Sequence, residues 1–197
     1  MSKSKFSPKE ILLPTIVLLI ICIVASALLG GTNMLTKDKI VQINNETKSA
    51  AMQTVMPDAV SFGDAVQTDN NKVEYSPALN GDGTVIGYAF TVSESGYGGE
   101  ISVMVGMDTA GVVKKVTIVS ADDETPGLGQ NVKKDSFLEQ FSEKIGQLII
   151  TKNAPKNDNE IQAVTSATIT SSAVVRAVNA AVEYCNENLV QGGNKNG

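Results

Sequence analysis

Residues 84–120 read TVIGYAFTVSESGYGGEISVMVGMDTAGVVKKVTIVS, and this stretch decides the fold class. Three runs rich in β-branched residues alternate with small or polar ones, parted by the glycine loop Gly96-Tyr97-Gly98-Gly99 and the turn Asp108-Thr109-Ala110-Gly111. Alternation with a period of two puts one face of each run in a core, and Gly and Asp turns fold such runs back on themselves as antiparallel hairpins. Val112, Val116 and Ile118 fall within the third run. Upstream, VEYSPAL at 73–79 and the turn Asn80-Gly81-Asp82-Gly83 add a further strand to the same sheet.

Outward from this sheet the period changes. Residues 136–144 are helix-like, 147–152 suit a short strand, and 171–189 repeat Val174, Val178, Ala181, Val182, Cys185 and Leu189 at helical spacing. Cys185 on that stripe reads as core rather than as a reactive thiol. On the other side, 61–72 lack periodicity and read as a loop. Residues 35–55 carry Leu35, Ile40, Ile43 and Val55 among polar residues, with Asp38 and Lys39 exposed, as a linker helix ended by Pro57 and Asp58. A sheet followed by helices gives an α+β domain with a central, mainly antiparallel sheet flanked by helices.

Residues 11–31, ILLPTIVLLIICIVASALLGG, carry no charge, and at about 1.5 Å per residue a helix of this length spans roughly 30 Å, the thickness of a bilayer core. Pro14 is expected in its first turn, where proline is tolerated. Lys3, Lys5 and Lys9 precede the run, so the positive-inside rule leaves the N-terminus in the cytoplasm and the main domain outside it. The small-x-small sequence Ala25-Ser26-Ala27 admits a cleaved signal peptide, but apolar residues continue through Leu28 and Leu29, which favours an uncleaved single-pass anchor. Cys22 follows Ile20 and Ile21, a poor match to a lipoprotein cleavage site. The expected organisation is a cytoplasmic N-terminus (1–10), a transmembrane helix (11–31), a linker helix (32–60), an extracytoplasmic domain (61–190) and a polar tail (191–197) that is expected to be disordered.

Composition removes whole classes of chemistry. The 197 residues include no histidine, the commonest general base and metal ligand, and the only cysteines are Cys22 and Cys185. Zinc, iron–sulfur and disulfide frameworks are therefore not expected. The net charge of −5 argues against a nucleic-acid partner, which calls for a basic patch. Setting aside Lys3, Lys5, Lys9 and Glu10 leaves 13 basic against 20 acidic residues on the outer side.

Two segments carry chemistry. In Asp122-Asp123-Glu124-Thr125-Pro126-Gly127-Leu128-Gly129, Pro then Gly suits the centre of a type II turn, and the second glycine leaves bare backbone that a flat group could approach; a plain connecting loop is the alternative. The second is AVTSATITSSAV at 163–174, which crowds hydroxyls ahead of a helix. Ser171 or Ser172 can be the N-cap with help from Thr170, and hydroxyls beside unpaired helix amides suit a phosphate. Thr165, Ser166 and Thr168 then have no capping task, although Thr165 and Thr168 could simply end an extended strand.

Together these segments resemble a known family. Thr165-Ser166-Ala167-Thr168 resembles the Ser/Thr-Gly-Ala-Thr motif of domains that carry FMN through a phosphoester bond to the last threonine. The ETPGLG sequence at 124–129 and the GYGG loop followed by ISVMVGM match the same domains. With one N-terminal anchor, the chain is most similar to the G subunits of Rnf ion-translocating electron-transport complexes, more than to the longer C subunits of sodium-pumping quinone reductases. It departs from the pattern at Ser166, where glycine is usual, and at Asp122, where histidine is frequent.

The resemblance implies covalent FMN on Thr168, placed by a separate flavin transferase that uses FAD as donor. It implies a phosphate cradle from Thr165, Ser166, Ala167 and Thr170, with Thr125, Gly127, Leu128 and Tyr97 near the ring and Glu124 tuning the local field. It also implies an electron carrier in a membrane complex that passes electrons between ferredoxin and NAD, with no independent turnover by this chain. A flavin-free structural or ligand-binding module and a free-standing extracellular flavoprotein are the competing readings.

Overall fold

A computed structural model describes residues 8–68 and 72–190 of the chain. Lys3, Lys5, the side chains of Lys9, Glu10 and Asp38, and the tail at 191–197 lie outside what it describes. The chain divides into two compact units, Met1–Glu46 and Thr47–Gly197.

Helix α1 runs Pro8–Val55 without a break. The expected span and linker helix are thus one element, because nothing between Gly31 and Leu35 interrupts it. Gly30 and Gly31 weaken a helix by about 1 kcal/mol each but do not end one. Thr32 and Thr36 donate their hydroxyls to the carbonyls of Leu28 and Thr32, both at 2.8 Å, so they need no outside partner. Within its apolar segment Leu12–Lys37 the most apolar 18 residues have a mean hydropathy of 2.9 and are unburied within the chain, as a candidate membrane span would be. Because the helix starts at Pro8, Pro14 stands in its second turn, where it removes a bond to the carbonyl four residues back. The helix stops at Val55, since the residue before Pro57 is disfavoured in helical geometry.

The larger unit is an antiparallel sheet with a helix on each face. Its strands are β1 (Ser61–Phe62), β2 (Val66–Gln67), β3 (Val73–Leu79), β4 (Val85–Ser95), β5 (Glu100–Asp108) and β6 (Val113–Ser120). The order is β1-β3-β4-β5-β6, with β2 also on β3. The long hairpin pairs Gly87 with Asp108 at one end and Ser95 with Glu100 at the other, so 96–99 make a tight turn at the top. Residues 61–72, read as a loop, contain β1 and β2. Each is two residues long, too short to show alternation, and they pair to either side of Pro77, which has no N–H to give a neighbour.

The pleat sorts the hairpin side chains. Phe90, Val92, Ile101, Val103, Val105 and Met107 pack with Val174, Val178, Ala181, Val182 and Cys185 of α3 (Thr168–Tyr184) and the π-helical turn Cys185–Val190 that follows it. Burial raises the Cys185 thiol to about 11, which keeps it an inert part of the core. On the opposite face Ala78, Ala89 and Met104 meet Ala51, Val55 and Met56 from the end of α1. Gly106 lets that helix end approach, since a Cβ there would meet the Val55 carbonyl. The last turns of α1 therefore belong to the domain, and its compact unit begins at Thr47 rather than near residue 61.

Between β6 and α3 the chain forms 3-10 turns at Gly129–Lys133 and Glu139–Phe141, the short helix α2 (Asp135–Leu138), and the parallel pair β7 (Ile149–Thr151) and β8 (Glu160–Gln162). The helix expected at 136–144 is cut short because Glu143, at φ 58°, turns to donate its N–H to the Val113 carbonyl at 2.8 Å. The strand expected at 147–152 is β7; β8 was not anticipated.

Candidate functional site

The crowded hydroxyls of 163–174 divide into two groups by what they touch. Helix α3 begins at Thr168, three residues before the expected start, and its N-cap is Ala167 (φ −131°), which has no side chain to cap with. Ser171 and Ser172 are not caps. The Ser171 hydroxyl accepts the Val164 N–H at 3.0 Å and donates to the Ala167 carbonyl at 2.9 Å, while Ser172 donates to the Thr168 carbonyl at 2.8 Å. Thr170 donates to Glu124 Oε2 at 2.8 Å. The hydroxyls of Thr165, Ser166 and Thr168 have no hydrogen-bond partner among the described residues. Of these, Thr168 is half-buried at the first helical position, where backbone amides point outward unpaired.

Ser166 sits at φ 64°, a left-handed conformation that costs a side-chain-bearing residue energy glycine does not pay. This is the physical reason a glycine suits the second place of such a motif.

The loop at 124–129 folds around a buried carboxylate. Thr125 accepts the Leu128 N–H at 3.2 Å and Gly127 has φ 77°, which makes residues 125–128 the type II turn expected from Pro-Gly. Asn131 Nδ2 then donates to the Gly127 carbonyl at 2.6 Å. Glu124 points inward and is 2% exposed. Its Oε1 accepts the backbone N–H of Tyr97 at 2.7 Å and of Gly98 at 3.1 Å, and its Oε2 accepts the Thr170 hydroxyl. A Cβ on Gly96 would collide with Oε1, and one on Gly129 with Oε2. The bareness of Gly129 is thus filled by the chain's own carboxylate, not left for a flat ligand. Beside it Lys133 donates to Asp122 at 3.1 Å and, by that hydrogen bond and its charge, holds the Asp122 carboxyl below its ordinary range.

These segments enclose a cleft of about 440 Å³, a size suited to a cofactor. Tyr97, Glu124, Thr125, Leu128, Ser166, Ala167, Thr168 and Thr170 all border it. Gly127 does not, and Thr165 lies over a separate depression with Gln162 and Lys134. Ile169 and Gly129 border the cleft without having been singled out. Ile169 could have been noticed, since it stands off the buried stripe of α3 and is 54% exposed. The cleft lining offers a hydroxyl and helix amides at the start of α3, together with apolar atoms of Ile169, Leu128 (45% exposed) and Tyr97 (71% exposed). That donor set fits a phosphoryl group joined to a flat, largely apolar ring, which is the chemistry of FMN. No group of three or more Cys, Asp or Glu among the described residues could hold a metal.

Residues 96–183 match the model of the FMN-binding domain. The chain is 38% identical over 169 residues to the G subunit of the proton-translocating ferredoxin:NAD(+) oxidoreductase complex of Clostridium ljungdahlii, covering 86% of each. It is 33% identical over 185 residues to the G subunit of the Na(+)-translocating ferredoxin:NAD(+) oxidoreductase complex of Acetobacterium woodii, covering 85% of this chain and 88% of the relative. In fold it resembles the C subunit of the Na(+)-translocating NADH-quinone reductase of Parabacteroides distasonis, with a TM-score of 0.55 at 20% identity over 73% of this chain and 93% of that one. The cleft at the start of the last long helix lies within the matched FMN-binding domain, and the chain belongs to the family of G subunits of ion-translocating oxidoreductase complexes.

Proposed function

We propose that this chain is a membrane-anchored electron-carrier subunit of an ion-translocating ferredoxin:NAD oxidoreductase, with FMN joined through its phosphoryl group to Thr168 Oγ1. One observation carries the attachment point. Within the hydroxyl-rich segment, Thr168 alone combines a hydroxyl without a partner among the described residues, a place in the cleft and the first position of an uncapped helix. Thr170, the next candidate along the chain, is 1% exposed and committed to Glu124.

Bound FMN supplies electron transfer in one- or two-electron steps at its ring. The chain supplies placement and environment. In maturation, Thr168 Oγ1 would bond to the FMN-side phosphorus of FAD as the bond to the AMP phosphate breaks, AMP would leave, and the hydroxyl proton would pass to the flavin transferase or solvent. The amides of Thr168, Ile169 and Thr170, at the positive end of the helix dipole, would hold the phosphoryl group. Leu128, Ile169 and Tyr97, which border the cleft, would shield the ring from water. A covalent tether suits a domain outside the cytoplasm, where a dissociated cofactor is lost to an unlimited volume.

Helix α1 anchors the chain, with the N-terminal lysines on the cytoplasmic side and the FMN domain on the other. In such a complex this chain would hold the flavin for exchange with neighbouring subunits, while ferredoxin and NAD would bind elsewhere. The test is denaturing gel fluorescence and peptide mass mapping of the chain from its native cell. Flavin on the peptide containing Thr168, lost in Thr168→Ala, is the expected result. Covalent flavin persisting in Thr168→Ala would move the attachment point, and an unmodified wild-type peptide would refute the carrier function.

A further inference from the structure

Among the described residues Glu124 is the one buried carboxylate, and it makes no ion pair; the chain has made room for it twice. Gly96 and Gly129 lack the Cβ atoms that its two carboxylate oxygens would strike. Three donors from outside its own loop end on those oxygens: the Tyr97 and Gly98 amides from the tip of the β4–β5 hairpin, and the Thr170 hydroxyl from the first turn of α3. The donors lie 27, 26 and 46 positions away along the sequence. Among the described residues no other side chain joins all three walls of the cleft, and no lone pair aimed at a ligand is needed to explain its placement.

We infer that Glu124 is the positioning residue of the cleft: it holds Tyr97, the 125–129 turn and the start of α3 at flavin-ready spacing before any flavin is attached. This rests on the reading that Thr168 carries FMN, and it assigns Glu124 a task through other residues instead of a contact to the ring. A carboxylate suits that task because it offers acceptor sites to several donors at once, whereas an amide can still accept both N–H groups on one oxygen. Its other end then donates to Thr170, whose hydroxyl can accept as readily as donate.

The decisive experiment is amide hydrogen exchange on the full chain in detergent with Thr168→Ala in the background, so that no flavin is present. Tyr97 and Gly98 should exchange slowly. Glu124→Ala should speed both by about ten- to a hundredfold, the range for losing a hydrogen bond to a charged group. Glu124→Gln should restore most of the protection. In the Thr168 background, flavin per chain should fall in Glu124→Ala and recover in Glu124→Gln. If Glu124→Ala fails to fold, Thr170→Val takes its place; with the carboxylate freed from α3, both amides should exchange faster than in the parent.

Unchanged exchange in whichever of these variants folds would overturn the proposal. So would a Glu124→Gln variant as unprotected as Glu124→Ala. Because the exchange is read without flavin, absence of FMN from wild-type Thr168 would refute the carrier function separately and leave this result standing.

Discussion

Replacing Ser166 with glycine should make the domain more stable. Ser166 has φ 64°, and a left-handed backbone costs an L-residue roughly 1–2 kcal/mol that glycine does not pay. The hydroxyl is exposed and bonded to nothing among the described residues, so its loss removes no contact. Against the gain stands the extra freedom of glycine in the unfolded chain, about 0.4–1 kcal/mol. The net is a stabilisation of about 0.5–1 kcal/mol, which for a compact unit spanning Thr47–Gly197 raises the melting temperature by about 1–4 °C. Thermal melting of the full chain in detergent, in the Thr168→Ala background so that bound flavin does not contribute, reads this directly. Ser166→Val should move the other way, by about 1–2 kcal/mol, because a β-branched residue is worse placed at positive φ. A Ser166→Gly variant that melts below the parent would refute the reasoning, since it would mean the serine makes a favourable contact that outweighs its backbone strain.

Asn179 of α3 accepts the Leu148 N–H at 2.8 Å and donates to the Leu148 carbonyl at 2.9 Å, acting as a strand edge for the segment leading into β7. Asn179→Ala should cost roughly 1–3 kcal/mol, measured as a lower urea midpoint, because it strands both groups at a buried residue; a shift under about 0.5 kcal/mol would mean water replaces the side chain. Burial raises the phenols of Tyr75 and Tyr88 above 10.0, and for Tyr75 the neighbouring Tyr184 adds to the effect. A proton bound more tightly in the folded state stabilises it fully below the unfolded pKa, so this contribution is present below about pH 10 and lost as pH rises above it. Tyr75→Phe should flatten the fall of stability as pH rises above about 10, and an unchanged slope would show that Tyr75 does not cause it.

The sheet was legible because β4, β5 and β6 are long enough for alternation to show, and their turns are marked by Gly and Asp. The edge strands β1 and β2 and the strand β8 were not, since two or three residues carry no period and their pairing is decided by distant neighbours. The start of α3 was misjudged for a different reason. Serine and threonine before a helix favour a local cap on average. Here Ser171 is engaged with Val164 and Ala167, and Thr170 with a carboxylate 46 positions away. Local propensity could not see that bond, so the helix starts earlier and without a side-chain cap.

The cleft itself was readable as a set of residue types and unreadable as an arrangement. Tyr97, Leu128 and Thr168 were each flagged, yet nothing in their spacing says that Glu124 ties their segments together. The same gap explains the glycines. A glycine at the end of ETPGLG looks from sequence like a place for a ligand to approach, because an absent side chain is the same symbol whatever fills the space. In the folded chain the spaces at Gly96 and Gly129 are taken by the two oxygens of Glu124. ETPGLG is therefore one self-packing unit: Pro126 and Gly127 reverse the chain, and the reversal brings Gly129 back against the glutamate that began it. Its first and last residues then share a single requirement, room for a buried carboxylate with three donors, and a change at either end should disturb the cleft in the same way.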